Sequence, residues 1–250
     1  MRLVEIEDSR EVLLSKYRDK INFALDKFLL YNTAIYRGSF TYGGSNIIYT
    51  NPTTRPTLRR SAMNIGNYYT IWIDNNPKWQ DYPKRSKSLI CSTSLKTAKS
   101  YGDPIVVVPL INTKIGICPT VDIWKSFKLI YSLGDFSDWL KNIVFANITH
   151  DHANITYDQL VTILKNIDIR ELHLSYCFTP EFKKSMLDVI SGLDMFEKIF
   201  DPIKNGFTVT DWNDLTYISD QHEVWLSAPC LLIDPEIFIN LAEDRKHAPK

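Results

Sequence analysis

The chain has 250 residues, 44% of them hydrophobic and 23% charged, enough apolar content for one large domain or two small ones. Lys plus Arg and Asp plus Glu both number 29, so no net field draws in a polyanion. Nucleic acid and anionic membrane surfaces are therefore not expected as main partners, a local basic patch aside. Four cysteines, Cys91, Cys118, Cys177 and Cys230, lie far apart with no CxxC spacing. This argues against a zinc cage and a disulfide framework, and buried free thiols in a reducing cytosol are the expected state. The first residues, MRLVEIEDSR, carry no h-region, and no apolar run approaches membrane-spanning length, so a cytoplasmic protein without a membrane anchor is expected.

In chain order, Val12, Leu13, Tyr17, Ile21, Ala24, Leu25 and Phe28 recur at three- and four-residue steps and predict an amphipathic helix over 10–30, with Ser9 as its cap. A short strand, Thr33–Arg37, follows and is closed by Gly38. Glycine, asparagine, threonine and proline dominate 41–57, which reads as a loop able to lie over a cleft. Leu58–Tyr69 is open between a helical turn and an ordered loop, Tyr68–Ile73 reads as a strand, and Asp74–Pro83 as a turn-rich connection. Leu89–Cys91 reads as a buried strand running into a helix with Leu95, Ala98 and Tyr101 on one face. The β-branched run Pro104–Leu110 suits a central strand, and Lys114–Cys118 another. From about 120 to 204 the periodicity turns helical, over Val121–Tyr131, Phe136–Phe145, Tyr157–Ile167, Pro180–Ile190 and Met195–Phe200. Strand patterns return at Phe207–Thr210, Glu223–Leu226 and Cys230–Ile233, and a last helix at Pro235–Ala242. The layout is a single α+β domain over 1–250, a β-rich core interrupted by a helical insertion at about 120–204.

Three hydroxyl residues, Ser92, Thr93 and Ser94, stand where the buried strand becomes a helix. Ser94 suits an N-cap, whose oxygen accepts from an orphan amide of the first turn. The sharper reading is that Ser92 and Thr93 point into a cleft and orient a charged group there. Two distant stretches favour it: Arg37 in IYRGSF and Glu223 in DQHEVWL. In that order these pieces resemble the Arg, Ser-Thr-Ser and Gln-x-Glu motifs of the mono-ADP-ribosyltransferase family, in its Arg-Ser-Glu branch. The flanks agree: an aromatic before and a glycine after Arg37, Ala98 and Tyr101-Gly102 in the following helix, and the strand EVWL opened by Glu223. Arg59 to Tyr69 and WQDYPKRSKSLICSTS resemble uncharacterised phage-encoded proteins of this kind, and a phage-encoded or injected protein would act in a host cytoplasm. The helical block has no counterpart in the family's minimal fold, a mixed β-sheet core with an N-terminal helix, so the resemblance covers about two-thirds of the chain.

The resemblance implies that NAD is bound and consumed, its nicotinamide–ribose bond breaking through an oxocarbenium-like state as in glycoside cleavage. Glu223 would stabilise the developing positive charge and bond a ribose hydroxyl. Arg37 would clamp the diphosphate with two parallel hydrogen bonds, and Gly38 would offer its backbone to the nicotinamide amide. Ser92 and Thr93 would hold Glu223 in its productive rotamer, with Ser94 beside them. Gln221 bears on the acceptor: an amide supplies no charge for a guanidinium, so the similarity to Rho-modifying exoenzymes implies an asparagine or another uncharged side chain on a protein acceptor, a host protein among them. Trp212 and Tyr217 in the loop 211–220 would be the aromatic handles on that target. Tyr69, with Tyr68, Trp72 and Trp79, could stack on nicotinamide or adenine, although aromatics at such positions more often pack a core. Lys84, Arg85 and Lys87 form a basic run that could hold phosphates or be a solvated edge, the bland reading being favoured, and Arg59 and Arg60 carry the same ambiguity. His150, Asp151, His152 and His173 lack further ligands at metal spacing, so no metal is expected. No GxGxxG occurs, which disfavours a hydride-transferring dehydrogenase. Two rivals stay open: an NAD glycohydrolase on the same fold, separated by comparing nicotinamide released with ADP-ribose attached, and a catalytically inactive structural or virion protein.

Overall fold

The computed structural model describes residues 10–39, 47–54, 68–130, 155–167, 191–219 and 221–247, with Phe136, Asp138, Asn142 and Lys184 as isolated positions. The N-terminal helix is two, α1 (Arg10–Lys16) and α2 (Arg18–Tyr31), because Tyr17 at φ −114° and ψ 21° leaves the helical region. Ile21, Ala24 and Leu25 form the buried stripe of α2, and Asn32 ends it in the left-handed region at φ 51°, its N–H donating to Phe28 O at 2.8 Å. The expected cap, Ser9, lies outside the described residues.

Among the described residues, eight strands form one sheet: β1 (Tyr36–Ser39), β2 (Ile47–Thr50), β3 (Leu89–Ser92), β4 (Asp103–Pro109), β5 (Lys114–Ile117), β6 (Thr208–Asp211), β7 (Glu223–Leu226) and β8 (Cys230–Ile233). Their order across the sheet is β2-β8-β4-β1-β3-β7-β5-β6. The expectation of a mixed sheet is corrected, since every recorded pairing is antiparallel. The reason lies in β3, the short helix α4 (Leu95–Lys99) and β4. A strand–helix–strand crossover usually sets parallel strands side by side, but here β1 runs between β3 and β4 and pairs with both. Helix α4 therefore lies across β1. Gly38 lets it: a Cβ there would sit 2.3 Å from Ala98 O and 2.7 Å from the Tyr101 carbonyl carbon. Gly38 thus belongs to the strand rather than closing it.

The loop reading of 41–57 misses β2, an edge strand on β8 whose Ile47 is buried; its short apolar run is hidden among turn-forming residues. The strand reading of Tyr68–Ile73 is also overturned, because Tyr68–Asn75 is helix α3. All six residues from Tyr68 to Ile73 are buried. A short helix covered on every side shows no amphipathic period, and its β-branched and aromatic residues imitate a strand. Val121–Tyr131 is not a helix within its described residues: Pro119 precedes it, and the Asp122 carboxylate accepts from Trp124 N at 3.0 Å, leaving one 3-10 turn at Ile123–Ser126.

Strands β5 and β6 pair directly, Ile117 opposite Thr208, so everything between them is one long excursion from a two-stranded ribbon. Its described helices are α5 (Tyr157–Lys165), α6 (Gly192–Ile199) and α7 (Pro202–Asn205). Thr156 and Gln159 form a reciprocal capping box on α5. Nearly all of the expected helices Pro180–Ile190 and Phe136–Phe145 lies outside the described residues. The last helix, α8 (Pro235–His247), packs against α2. Two cores result. One joins α1, α2 and α8 to the sheet through Ile105, Val107, Val224 and Leu226; the other gathers Trp72, Trp79, Phe127, Phe196, Phe200, Phe207 and Trp225 beneath the excursion. No helix among the described residues is long and apolar enough to cross a membrane.

Candidate active site

The three motif segments, far apart in the chain, lie on adjacent central strands, β1, β3 and β7. Ser92 stands directly opposite Glu223 on one side and Tyr36 on the other. Tyr36–Ser92 is also the single pair between β1 and β3, whereas β1 and β4 share four. A seam therefore opens between β1 and β3 beyond Tyr36.

Gly38 and Arg37 both bear on that seam. Val107 N donates to Ile35 O, which makes Ile35 and then Arg37 the residues whose amides face β4. By alternation the N–H and C=O of Gly38 turn toward β3. The register that pairs Tyr36 with Ser92 would set Gly38 opposite Ile90, but Arg37 Nη1 donates to Ile90 O at 2.6 Å instead. Arg37 leaves its strand on the side opposite Tyr36, Ser92 and Glu223, because neighbouring residues of a strand alternate faces. Arg37 and Glu223 thus stand on strands separated by β3 and on opposite faces of the sheet.

The cation that the structure brings to Glu223 is Arg85. Arg85 Nη1 lies 2.6 Å from Glu223 Oε1; the Arg85 side chain is buried at 8% exposure and that of Glu223 is 12% exposed. Ile123 N donates to the other oxygen, Oε2, at 3.2 Å, and the Cys118 thiol stands 4.0 Å from Oε1. The guanidinium lies over two indoles, 5.9 Å from the Trp124 ring centre and 5.7 Å from that of Trp225. Burial is the largest influence and opposes its charge, but the attraction of Glu223 and of the neighbouring Cys118 and Tyr69 together outweigh it, leaving the Arg85 pKa above its ordinary value. Burial first, then the Glu223 charge, pushes the Cys118 thiol well above the usual range. A solvated-edge reading of Arg85 is therefore wrong. Its sequence neighbours are polar, and its aromatic and acidic partners come from remote segments, so no local signal reveals its burial.

The hydroxyl cluster serves the loop before Glu223 rather than the carboxylate itself. Thr93 Oγ1 donates to Ser219 O at 2.6 Å and accepts from His222 N at 3.1 Å, and Thr93 N donates to His222 O at 3.0 Å. Ser92 Oγ accepts from Ser94 N at 3.0 Å and reaches His222 O at 3.4 Å. This corrects the idea that Ser92 and Thr93 touch and orient the acid; they fix the backbone that leads to it. Ser94 is the N-cap of α4, accepting from Thr97 N at 3.3 Å. On that helix only Ala98 is buried and Leu95 is exposed, and Tyr101, exposed too, lies beyond its end, so the expected apolar face is absent. His222 Nδ1 lies 2.6 Å from Cys118 O, a carbonyl that only accepts, so this nitrogen carries the hydrogen. Gln221 is exposed.

Of the expected target handles, Tyr217 is exposed but Trp212 is buried, edge-on to Phe23 and covered by Lys27. Lys27 is itself buried and donates to Asn213 O at 3.0 Å and to Leu215 O. Burial draws its pKa down, and Asp214 partly restores it. Tyr69 belongs to the aromatic core, edge-on to Trp124 at 3.9 Å between ring centres, as do Tyr68, Trp72 and Trp79. His150, Asp151, His152, His173, Arg59, Arg60 and Cys177 lie outside the described residues. Among the described residues, no group of three or more His, Cys, Asp or Glu side chains could hold a metal; Cys91, Cys118 and Cys230 are buried.

The fold and site define an α+β protein whose central antiparallel strands carry a buried arginine–glutamate pair beside an opened seam. No family model, no curated protein and no solved structure matches the chain.

Proposed function

We propose that the protein is a mono-ADP-ribosyltransferase that consumes NAD and transfers ADP-ribose to an uncharged side chain of a protein. The observation that carries this reading is the meeting of the arginine, serine and glutamate segments on neighbouring strands, with Ser92 in register with Glu223 and a seam beside them. The seam gives a chemical handle: Gly38 turns an N–H and a C=O toward it, a pairing edge that suits the carboxamide of nicotinamide. Arg37, now on Ile90 O, would exchange that carbonyl for the diphosphate, a stronger acceptor. In the reaction the bond between the nicotinamide nitrogen and ribose C1′ breaks and nicotinamide leaves with the electron pair. The acceptor atom forms the new bond to C1′ and loses its proton, while Glu223 faces the positive charge on the ribose. Gln221, exposed two residues before Glu223, would meet the acceptor.

A second reading has its own observation. Arg37 and Glu223 rise from opposite faces of the sheet, and the serine and threonine hydroxyls are committed to the loop backbone. This arrangement fits an interaction protein on which the site is inactive. Incubation of the purified protein with labelled NAD and a host lysate separates the two. Transfer of label to a protein, lost in Glu223→Ala, supports the transferase; in Gln221→Ala, transfer is expected to fall while nicotinamide release persists. Wild-type activity in Glu223→Ala removes Glu223 from the chemistry. No cleavage of NAD by the wild-type protein, with a stable partner recovered, supports the interaction protein.

A further inference from the structure

Both oxygens of the Glu223 carboxylate are engaged, one against the Arg85 guanidinium and one on Ile123 N. The guanidinium is held in turn. Trp124 and Trp225 flank it, and Trp225 is locked by its own Nε1–H, which donates to Pro83 O at 2.8 Å. From behind, Asp74 grips the turn that carries Arg85: its Oδ1 accepts from Arg85 N at 2.5 Å and its Oδ2 from Ser86 N at 3.1 Å. A continuous path therefore runs from helix α3 through this turn to the Glu223 carboxylate.

We infer that Arg85 is a positioning residue for Glu223, and that the two indoles make this role specific to a guanidinium. The inference rests on the transferase reading above, in which Glu223 must face the ribose. A planar guanidinium lies flat against an indole and keeps its plane, whereas an ammonium on a flexible stem is a strongly hydrated point charge. Lysine at position 85 would keep the charge and lose the orientation. A carboxylate misplaced by an ångström loses much of its effect on a transition state, on the order of a hundredfold in rate. Asp74 acts one step further back, on the backbone of the turn.

The test measures nicotinamide release by the full-length chain. Arg85→Lys is expected to lower kcat by about a hundredfold while the KM for NAD moves less than about threefold, since Arg85 touches the acid and not the dinucleotide. Asp74→Asn is expected to shift kcat in the same direction by less. Thermal unfolding of each variant reports the fold separately. The deciding comparison is a cycle: in a Glu223→Gln background, Arg85→Lys should cost no further rate, because the group it positions is gone. Equal losses in both backgrounds would show a general structural role and overturn the inference, as would wild-type kcat in Arg85→Lys. If the wild-type protein releases no nicotinamide, the transferase reading itself falls and takes this role with it. Turnover by wild type with an indifferent Arg85→Lys overturns the role alone.

Discussion

Glu223 and Ser92 face each other because the register of β3 on β7 sets them opposite, a relation that the motif order and the EVWL strand pattern make legible in the sequence. Arg85 is the opposite case. In KRSK it stands among lysines and serine, and what buries it is Trp124 and Trp225, which tertiary contact alone brings to it. Gly38 shows a third kind of legibility: the sequence presents it as the end of a strand, while the fold needs it because α4 crosses β1 at that point. Adding one methyl there meets backbone twice, Ala98 O at 2.3 Å and the Tyr101 carbonyl carbon at 2.7 Å, and neither can move like a side chain. Alanine would restrict the unfolded chain, a gain of under about 1 kcal/mol, but overpacking against fixed backbone costs about 1–3 kcal/mol. Gly38→Ala is therefore expected to destabilise the protein by about 2 kcal/mol, read as a lower midpoint in urea with an unchanged slope. An unchanged midpoint would mean that α4 shifts freely on the sheet.

At the scale of elements, the strands with distinctive residue choice are the legible ones. The run PIVVVP becomes β4, and EVWL and CLLI become β7 and β8, because β-branched and aliphatic residues suit a sheet buried on its faces. Helix α3 misleads for the same reason, since complete burial removes the polar face that would mark it as a helix. Helices α2 and α8 meet through a bidentate pair, Arg245 Nε to Asp26 Oδ1 at 2.6 Å and Nη2 to Oδ2 at 2.7 Å. These hydrogen bonds hold the Asp26 carboxyl below its ordinary range, outweighing the slight burial that acts the other way. A depressed carboxylate stabilises the fold above its unfolded pKa, about 3.9, and the contribution is lost as pH falls through the lower folded value. Because the side chains are 34% and 47% exposed, water and salt screen the pair, and its worth is below about 1 kcal/mol. Asp26→Asn is thus expected to lose a fraction of a kilocalorie per mole near pH 7. The gap from wild type should close as the pH drops below about 4. Urea melts across pH measure this, and a gap that persisted in acid would assign the loss to packing instead of charge.

For the whole molecule, the central question is whether the layer of helices inserted between β5 and β6 is a separate folding unit. The insertion is legible as a change from strand to helix periodicity near 120 and back near 204, but its attachment is not. Strand β7 decides it. Val224 and Leu226 pack into the core shared with α2 and α8, while Trp225 between them packs into the aromatic core under the insertion. Phe207, at the return of the chain to β6, stands 6.3 Å from Trp225 and 4.9 Å from Trp79 between ring centres, so the aromatic core is built on the sheet itself. On β5, Gly116 lets the Trp225 ring lie flat on the strand, where a Cβ would come within 2.3 Å of it. Unfolding the helical layer would strip one face of β7, and unfolding the sheet would remove the floor of the aromatic core. Neither half keeps its buried apolar surface without the other, so the two are expected to melt together although the chain is long for a single cooperative unit. Tryptophan fluorescence reports mainly the aromatic core, with Trp72, Trp79 and Trp225 buried there, whereas far-ultraviolet circular dichroism reports the whole backbone. Their urea transitions should coincide within error; a fluorescence change complete before the circular dichroism signal moves would show the insertion to be an independent layer resting on the sheet.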